Sequence, residues 1–200
     1  MKRNVTMSRL MEMVEEEAHQ RMIAVTTYKA GPGKVVVEGR LVDQRFKENF
    51  LITGEKRPVG EIHNMIVRLL VDIARLTIKD VEVNLVKIPR EECMDICNSL
   101  SILKGLRISK GFTLRVKSLL GGVQSCTHLC KLVEAMGPAV LQGVFSIMAQ
   151  NESDLRTLSE NPQMRKYFAD SVVNSCHVWR KDGPELKKVL ALFNDSHKGP

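Results

Sequence analysis

The chain has 200 residues, of which 44% are hydrophobic and 26% are charged. This composition is typical of a globular protein that is long enough to bury a core without disulfides. The net charge is +7, and aromatic residues make up only 4% of the sequence, which disfavours a stacking platform for single-stranded nucleic acid. No run of about 18 apolar residues and no apolar signal-peptide region occurs, so we expect a cytoplasmic protein without a membrane span.

The first half of the chain has the pattern of a short helix followed by strands. Residues 7–19 carry apolar side chains at helical spacing, and we expect a helical segment over 1–19 ahead of a single domain over 20–195. Residues 21–45 are β-branched and partly alternating around the turn signal Ala30-Gly31-Pro32-Gly33. This combination predicts a β-hairpin.

Two further strands are predicted before Pro89. Residues 61–72 (EIHNMIVRLLVD) and 75–88 (RLTIKDVEVNLVKI) have the pattern of strands, and the short connection near Asp72-Ile73-Ala74 favours an antiparallel pair. In the first of these strands, period two places His63 on the same face as four apolar residues, namely Met65, Val67, Leu69 and Val71.

The pattern after Pro89 is helical. We expect helices over 90–103, 111–120 and 127–149, with Ser109 capping the second and Gly121-Gly122 ending it. Pro138 should kink the third helix or split it in two. Two shorter helices separated by Asn161-Pro162 follow, and Gly183-Pro184 begins a last helix toward residue 194. Four strands followed by helices predict an α+β fold, an antiparallel four-stranded sheet with helices packed on one face.

The positive charge is concentrated in one part of the chain. Residues 101–150 contain six bases and a single acid, and five of the bases occur between 101 and 130 without any acid: Lys104, Arg107, Lys110, Arg115 and Lys117. A solvated helix face is one interpretation. The other is a surface for an anionic small molecule or an acidic protein partner, with nucleic acid the least favoured because no binding motif occurs.

The five cysteines are an odd number in a chain without a signal peptide, which argues against a disulfide framework. Cys126 follows the turn Gly121-Gly122 at a predicted helix start, where unpaired backbone N–H groups favour a thiolate. His128 can share one ion with Cys126 only if the cysteine lies just before the helix. The alternative is a buried thiol beside a histidine of the helix cap.

The other candidate residues have weaker signals. Cys130 belongs to the apolar stripe of the third helix, and both it and Cys97 are predicted to be packing residues. Cys176 and His177 follow a predicted helix end beside Trp179, where one can bind a metal and the other can support it. His63 faces the side of the sheet that the helices must cover, where Cys126 is expected. Cys93 and His177 are reserve ligands.

Three stretches, GGVQSCTHLCKLVEAMGPAVLQ, HNMIVRLLVDIARLTIKDVEV and NSCHVWRKDGP, resemble an uncharacterised bacterial domain family of unknown function. The resemblance spans roughly residues 20–185. It implies domain boundaries and candidate positions but no activity, and the recurring features of the family fall here on His63, Gly105, Cys126, His128, Leu129, Gln142 and Cys176.

A more distant resemblance is to the NifU-like scaffold proteins of iron–sulfur cluster assembly. The order of VGEIHNMIVRLLVD, LTIKDVEVNLVKIP, a helix, LKG and Cys126 at a helix start is similar to theirs. The resemblance implies an antiparallel sheet backed by helices, here extended by C-terminal helices, with a site where sheet and helices meet. The position that matches the scaffold's first cysteine is Val59 here, and the position of its acidic residue is matched by Glu61. Cys93 lies near the position of the scaffold's second cysteine but out of register with it. The scaffold's His-Cys pair corresponds to Ser125-Cys126.

Together these observations predict a metal-binding protein with one zinc or iron ion held at the sheet–helix junction by His63, Cys126, His128 and Cys176. With three protein ligands the site activates water or polarises a carbonyl, and with four it is structural. The basic run over 104–117 then shapes the approach of an anionic substrate or partner. Two alternatives stay open: a non-metal binding module that uses this basic face, and an enzyme with Cys126 as nucleophile and His128 or His63 as base.

Overall fold

The computed structural model describes residues 8–150 and 160–195, and they form an α+β fold. Four long strands, β1 (His19–Lys29), β2 (Lys34–Arg45), β5 (Gly60–Asp72) and β6 (Thr77–Lys87), build an antiparallel sheet in the order β1-β2-β5-β6. A small hairpin of β3 (Asn49–Phe50) and β4 (Lys56–Arg57) lies in the connection between β2 and β5. The predicted α+β class and four-stranded antiparallel sheet are therefore confirmed.

The sheet separates a buried face from an exposed one. The inward stripe of β2 comprises Val35, Val37 and Leu41, and the inward stripe of β5 comprises Met65, Val67, Leu69 and Val71, all fully buried. The predicted hairpin is present as β1 and β2, joined through glycines 31 and 33, which both have positive φ. The strand faces follow from period two, as predicted for β5.

In the described residues four α-helices follow the sheet: α1 (Phe112–Leu120), α2 (Thr127–Met148), α3 (Pro162–Ser171) and α4 (Pro184–Asp195). The buried stripe of α2 contains Leu129, Leu132, Val133 and Met136, the residues that the sequence pattern places in the core. This helix packs across β1 and β2 and against α1. No helix in the described ranges 8–150 and 160–195 is long and apolar enough to cross a membrane.

Three glycines allow α2 to approach its neighbours closely. A Cβ built on Gly39 of β2 would lie 2.7 Å from the Met136 sulfur, and one on Gly137 would lie 2.6 Å from the Phe112 ring. A Cβ on Gly143 would meet the Thr27 side chain at 2.2–2.6 Å. Since real Cβ atoms do not approach so closely, glycine at these positions fixes how the helix lies on the sheet.

Several predicted elements differ from the observed ones. Residues 1–7 of the predicted N-terminal helical segment lie outside the described residues. Over 8–18, where the pattern predicts a helix, the structure has a 3-10 turn at Met11–Met13, and β1 already begins at His19. Residues 90–103 form two 3-10 segments, Glu91–Ile96 and Ser99–Leu103, instead of an α-helix. Neither segment has a side-chain cap, and Ser99–Leu103 packs against β6, a contact that the local sequence pattern does not contain.

The later helices agree more closely with the pattern. The predicted helix over 127–149 remains one helix although Pro138 lies inside it. The N-cap of α1 is Gly111, with φ 85°, where Ser109 was predicted. The last helix begins at Pro184 as predicted. Of the two helices predicted around Asn161-Pro162, the second is α3, and the first falls almost entirely in 151–159, outside the described residues.

Candidate metal centre

A row of three polar side chains crosses the buried face at one end of the sheet. Arg21 of β1 is the cross-strand partner of Asp43 of β2, and Asp43 is the partner of His63 of β5. Because directly paired residues of neighbouring strands point to the same face, the three side chains are adjacent. These side chains continue the apolar stripes of their strands at the edge of the core. The Asp43 carboxylate, which is only 2% exposed, therefore lies where the core ends.

Asp43 is the centre of this group. Its two oxygens accept hydrogen bonds from Arg21 Nε at 2.6 Å and Nη2 at 2.8 Å, and its Oδ2 lies 2.9 Å from His63 Nδ1. His128 Nε2 lies 3.5 Å from Oδ2 and His19 Nε2 lies 3.5 Å from Oδ1. Three of the five histidines of the chain therefore surround one carboxylate.

The N-terminus of α2 closes the site from above the sheet. Cys126 is the N-cap residue, with extended φ −87° and ψ 133°, so it lies just before the first helical residue. This is the condition under which its side chain and that of His128 can converge, and Cys126 Sγ lies 3.3 Å from His128 Nδ1. The preceding residue, Ser125, is held by a 2.7 Å hydrogen bond between its hydroxyl and that of Ser99. The turn that aims the cysteine is thus anchored.

The two site histidines stack on each other. The ring centroids of His63 and His128 are 3.8 Å apart, with a tilt of 31° between the rings. Each ring directs one nitrogen to Asp43, Nδ1 for His63 and Nε2 for His128. Asp43, His63 and His128 form a group that could hold a metal ion, since one ligand atom from each lies within 4.8 Å of the others.

The electrostatics of the site favour ligands in their metal-binding forms. Burial alone would raise the pKa of the Asp43 carboxyl, but the hydrogen bonds and charge of Arg21, with help from His63, bring that pKa below its ordinary value. Burial lowers the pKa of His63 in spite of its hydrogen bond to Asp43. A neutral His63 that donates from Nδ1 to the carboxylate keeps a lone pair on Nε2.

Opposing effects also determine the pKa of the Cys126 thiol. Burial would raise its pKa, but hydrogen bonds from His128 and from the backbone N–H groups of Leu129 and His128 outweigh burial, so the pKa lies below its ordinary value. The backbone contribution comes from the helix start, where these N–H groups have no partner within the helix. A lower pKa increases the fraction of thiolate, the form that binds metals and attacks carbon.

At the sheet–helix junction the structure places His128 against two other predicted ligands, the ring of His63 and the sulfur of Cys126. The group whose ligand atoms all lie within 4.8 Å of one another is Asp43, His63 and His128, and Cys126 adjoins it through His128. Cys176 is exposed and lines a different cavity beside Trp179, so it is outside the Asp43–His63–His128 group. Cys130 is buried in the core, with its thiol 3.4 Å from Glu134 Oε1. Cys93 and Cys97 are free and partly buried.

Sequence reasoning missed Arg21 and Asp43. Both lie on strands that were predicted, and a signal was present: the inward stripe of β2, which runs through Val35, Val37, Gly39 and Leu41, continues in period two to Asp43. A charged residue at a core-facing position is costly unless it is paired, so it marks either a partner or a site. The same reasoning identified His63 at the end of the β5 stripe.

The fold and the site define an α+β protein with a buried aspartate, two partly buried histidines and a cysteine at a helix N-terminus. A family model described as "Protein of unknown function (DUF2889)" matches residues 19–142. The chain belongs to this family, which agrees with the resemblance to an uncharacterised family. The matched range contains Asp43, His63, Cys126 and His128 and ends before Cys176. Searches of the curated proteins and of the solved structures found no match, and the resemblance to NifU-like scaffolds is not confirmed.

Proposed function

We propose that this protein binds one zinc or iron ion through His63, His128 and Cys126, with Asp43 orienting the two histidines. The observation that carries the proposal is the stacked pair of imidazoles, each with one nitrogen on the same carboxylate. The other nitrogen of each ring is then left for an ion, and that of His128 already lies 3.3 Å from the Cys126 sulfur.

Asp43 is better suited to support the ligands than to bind the ion itself. The Arg21 guanidinium already occupies both carboxylate oxygens, and its positive charge would repel a cation placed there. Histidines that bind metals commonly donate their other N–H group to a carboxylate, which fixes the ring and makes it more basic. His63 has this arrangement at 2.9 Å, and His128 has a longer version of it at 3.5 Å.

The distance between Cys126 and His128 also fits a shared ion. Tetrahedral zinc with Zn–S of about 2.3 Å and Zn–N of about 2.0–2.1 Å separates the two ligand atoms by about 3.5 Å. The observed 3.3 Å is within a few tenths of an ångström of this value. The ion would replace the proton that otherwise lies between Sγ and Nδ1, so only a small adjustment of the side chains is required.

One thiolate and two imidazoles favour zinc first and iron second. Three protein ligands are typical of catalytic zinc sites, which keep a fourth position for water or substrate. An ion held in this way lowers the pKa of bound water or polarises a carbonyl group. We infer that an anionic ligand or substrate is drawn to the protein by its net charge of +7.

Metal analysis tests the proposal directly. Protein purified without a histidine tag should contain close to one equivalent of zinc or iron by elemental mass spectrometry. Cys126→Ser and His63→Ala should lose it, and Asp43→Asn should bind it roughly 10–100-fold more weakly, as expected for a carboxylate behind a ligand.

Cys176→Ser and His177→Ala are matched controls that should keep the metal. Circular dichroism establishes that each variant is folded. Absence of metal from the wild-type protein, or its retention in folded Cys126→Ser and His63→Ala, would exclude this ligand set.

A second candidate function, catalysis by a cysteine nucleophile, is supported by a separate geometric observation. Cys126 Sγ, His128 Nδ1 and Nε2, and Asp43 Oδ2 form a continuous chain with distances of 3.3 and 3.5 Å, the order of nucleophile, base and orienting acid in cysteine enzymes. In this mechanism the thiolate would form a thioester with an acyl carbon as the bond to the leaving group breaks, and protonated His128 would give its proton to that group. Water, with His128 as base, would then hydrolyse the thioester and regenerate the thiolate.

The two candidates are distinguished by adding p-nitrophenyl acetate to chelator-treated protein. An acetyl group mapped to Cys126 by mass spectrometry, absent from His128→Ala, would favour the nucleophile. Activity that is lost with the metal would favour the metal centre.

A further inference from the structure

A second site lies further along α2, against residues 137–145, whereas the metal centre lies at the N-terminus of this helix. A cavity of about 770 Å³ opens between α1, α2, α3 and the segment after α3. Its volume falls in the range of small-molecule sites, about 300–1,000 Å³. None of the metal-site residues Asp43, His63, Cys126 and His128 lines this cavity, so a ligand bound here would be independent of the proposed metal.

The walls of the cavity are unusually aromatic for this chain. Four of its nine aromatic residues line it: Phe112, Phe145, Phe168 and Trp179. Phe168 and Trp179 contact each other edge to face, with ring centroids 5.6 Å apart. A sequence with 4% aromatic residues that places almost half of them around one cavity presents a surface suited to an apolar ligand group.

The cavity also contains an unsatisfied polar atom. The Ser171 hydroxyl is buried and has no hydrogen-bond partner in the part of the chain that the structure describes, and Ser171 is one of the lining residues. A buried hydroxyl without a partner costs free energy. A ligand oxygen that accepts from this hydroxyl would remove that cost.

A basic groove adjoins the apolar cavity. The two share Ser109 and Phe112, and the groove is lined by four bases, Lys104, Arg107, Lys110 and Arg115. Arg107 lies 3.8 Å from Asp170, next in sequence to Ser171, so this basic segment lies against the same helix as the unsatisfied hydroxyl.

Two of the bases are free to bind an anion. Lys104 pairs with Asp80 at 2.6 Å, whereas Lys110 and Arg115 form no ion pair with any residue in 8–150 or 160–195. Arg107 and Asp170 are both about half-exposed, so that acid screens the groove only in part.

We propose that this cavity and groove together bind an amphipathic small-molecule anion, whose apolar or aromatic part lies among Phe112, Phe168 and Trp179. Its carboxylate or phosphate head lies at the Ser109 boundary, near Lys110 and Arg115. Neither half alone is selective for such a ligand. The shared wall of Ser109 and Phe112 places an apolar volume and an excess of positive charge within the reach of one molecule.

The single tryptophan makes the cavity directly observable. Because Trp179 is the only tryptophan of the chain, a shift of the intrinsic fluorescence reports on this wall. Decanoate is the probe, with decan-1-ol as the uncharged control of equal length and acetate as the charged control without a chain. Decanoate should shift the emission saturably to shorter wavelength, and acetate should not.

The charge is tested by variants in the groove. Decanoate should bind about two- to fivefold more tightly than decan-1-ol, the size expected for one exposed ion pair. Arg115→Gln should remove this preference, and Arg75→Gln, an exposed base outside the groove, should keep it. Equal binding of both probes to the wild-type protein would overturn the assignment of the head group.

The apolar half has an independent readout. Cys176 lines the cavity and is exposed, so saturating decanoate should slow its alkylation by N-ethylmaleimide severalfold in the wild-type protein. Leu141→Phe, which fills part of the cavity, should weaken both decanoate and decan-1-ol. No fluorescence shift and no protection of Cys176 would overturn the proposed site.

Discussion

Replacing Asp43 with asparagine tests whether this carboxylate organises the site. The substitution keeps the size of the side chain but removes one acceptor and places an N–H donor against the donors of Arg21 and His63. Hydrogen bonds to charged groups contribute about 1.5–3 kcal/mol each, and removal of one partner of a buried pair costs about 3–5 kcal/mol. Because the Arg21 side chain is 39% exposed, water restores part of this loss. We therefore expect the free energy of unfolding to fall by about 2–3 kcal/mol.

The assay is chemical denaturation in the presence of chelator, so that bound metal contributes nothing. The matched control is Glu38→Gln on the same strand, whose carboxylate accepts from Arg68 at 2.7 Å but is 29% exposed, against 2% for Asp43. An exposed pair of this kind contributes about 0–1 kcal/mol. Equal losses in Asp43→Asn and Glu38→Gln would refute the reasoning, because burial would then have no effect on the strength of the two pairs.

Three further outcomes are expected from the packing and from the site. Gly143→Ala should lower the free energy of unfolding by about 1–3 kcal/mol, since the new Cβ would meet Thr27 at 2.2–2.6 Å; an unchanged denaturation midpoint would show that α2 moves without cost. Pro138→Ala should raise the free energy of unfolding by about 1–3 kcal/mol in the same assay, because alanine restores a backbone N–H group in the middle of α2, at a position exposed to solvent. A loss of stability would instead mean that the proline ring makes contacts that outweigh the missing hydrogen bond. Chelator should lower the thermal midpoint of the wild-type protein but not that of Cys126→Ser, because metal at about 100 times its Kd stabilises by about 2.7 kcal/mol; an equal shift in both would mean that the ion binds elsewhere.

The sheet could be predicted because the sequence patterns that specify its strands and turns lie within short stretches of the chain. The apolar residues on one face of 61–72, together with the Gly31-Pro32-Gly33 turn, predict strands and a hairpin without reference to distant residues. The segment 90–103 was predicted incorrectly because its apolar spacing suits a helix, whereas its conformation depends on packing against β6. Local pattern does not contain that contact.

The site was predictable only in part, for a similar reason. Cys126 and His128 are two residues apart, and the glycines before them are visible in the sequence, so the condition for their convergence could be stated from local chemistry: Cys126 had to lie just before the helix. The cross-strand pairing of Asp43 with Arg21 and His63 depends on strand register, which a bulge next to Asp43 shifts by one residue. Cys176 was predicted as a ligand from its position beside His177 at a helix end, and the fold places it on the apolar cavity instead.

The cluster of Arg21, Asp43 and His63 should lower the stability of the fold. Replacing the cluster with apolar residues therefore tests whether these side chains are needed to build the sheet or to bind a metal. Burial of charged groups is costly even when they are paired, and apolar residues of similar volume in place of a buried ion pair are often neutral or stabilising by about 1–4 kcal/mol. The triple variant Arg21→Met, Asp43→Leu, His63→Leu would extend the apolar stripes of β1, β2 and β5 by one residue each. We expect it to be at least as stable as the wild-type protein in chelator, although Asp43→Asn alone is destabilised, and to bind no metal. A triple variant destabilised by more than Asp43→Asn would mean that the polar row is needed to build the sheet, and the reason for assigning it to metal binding would be lost.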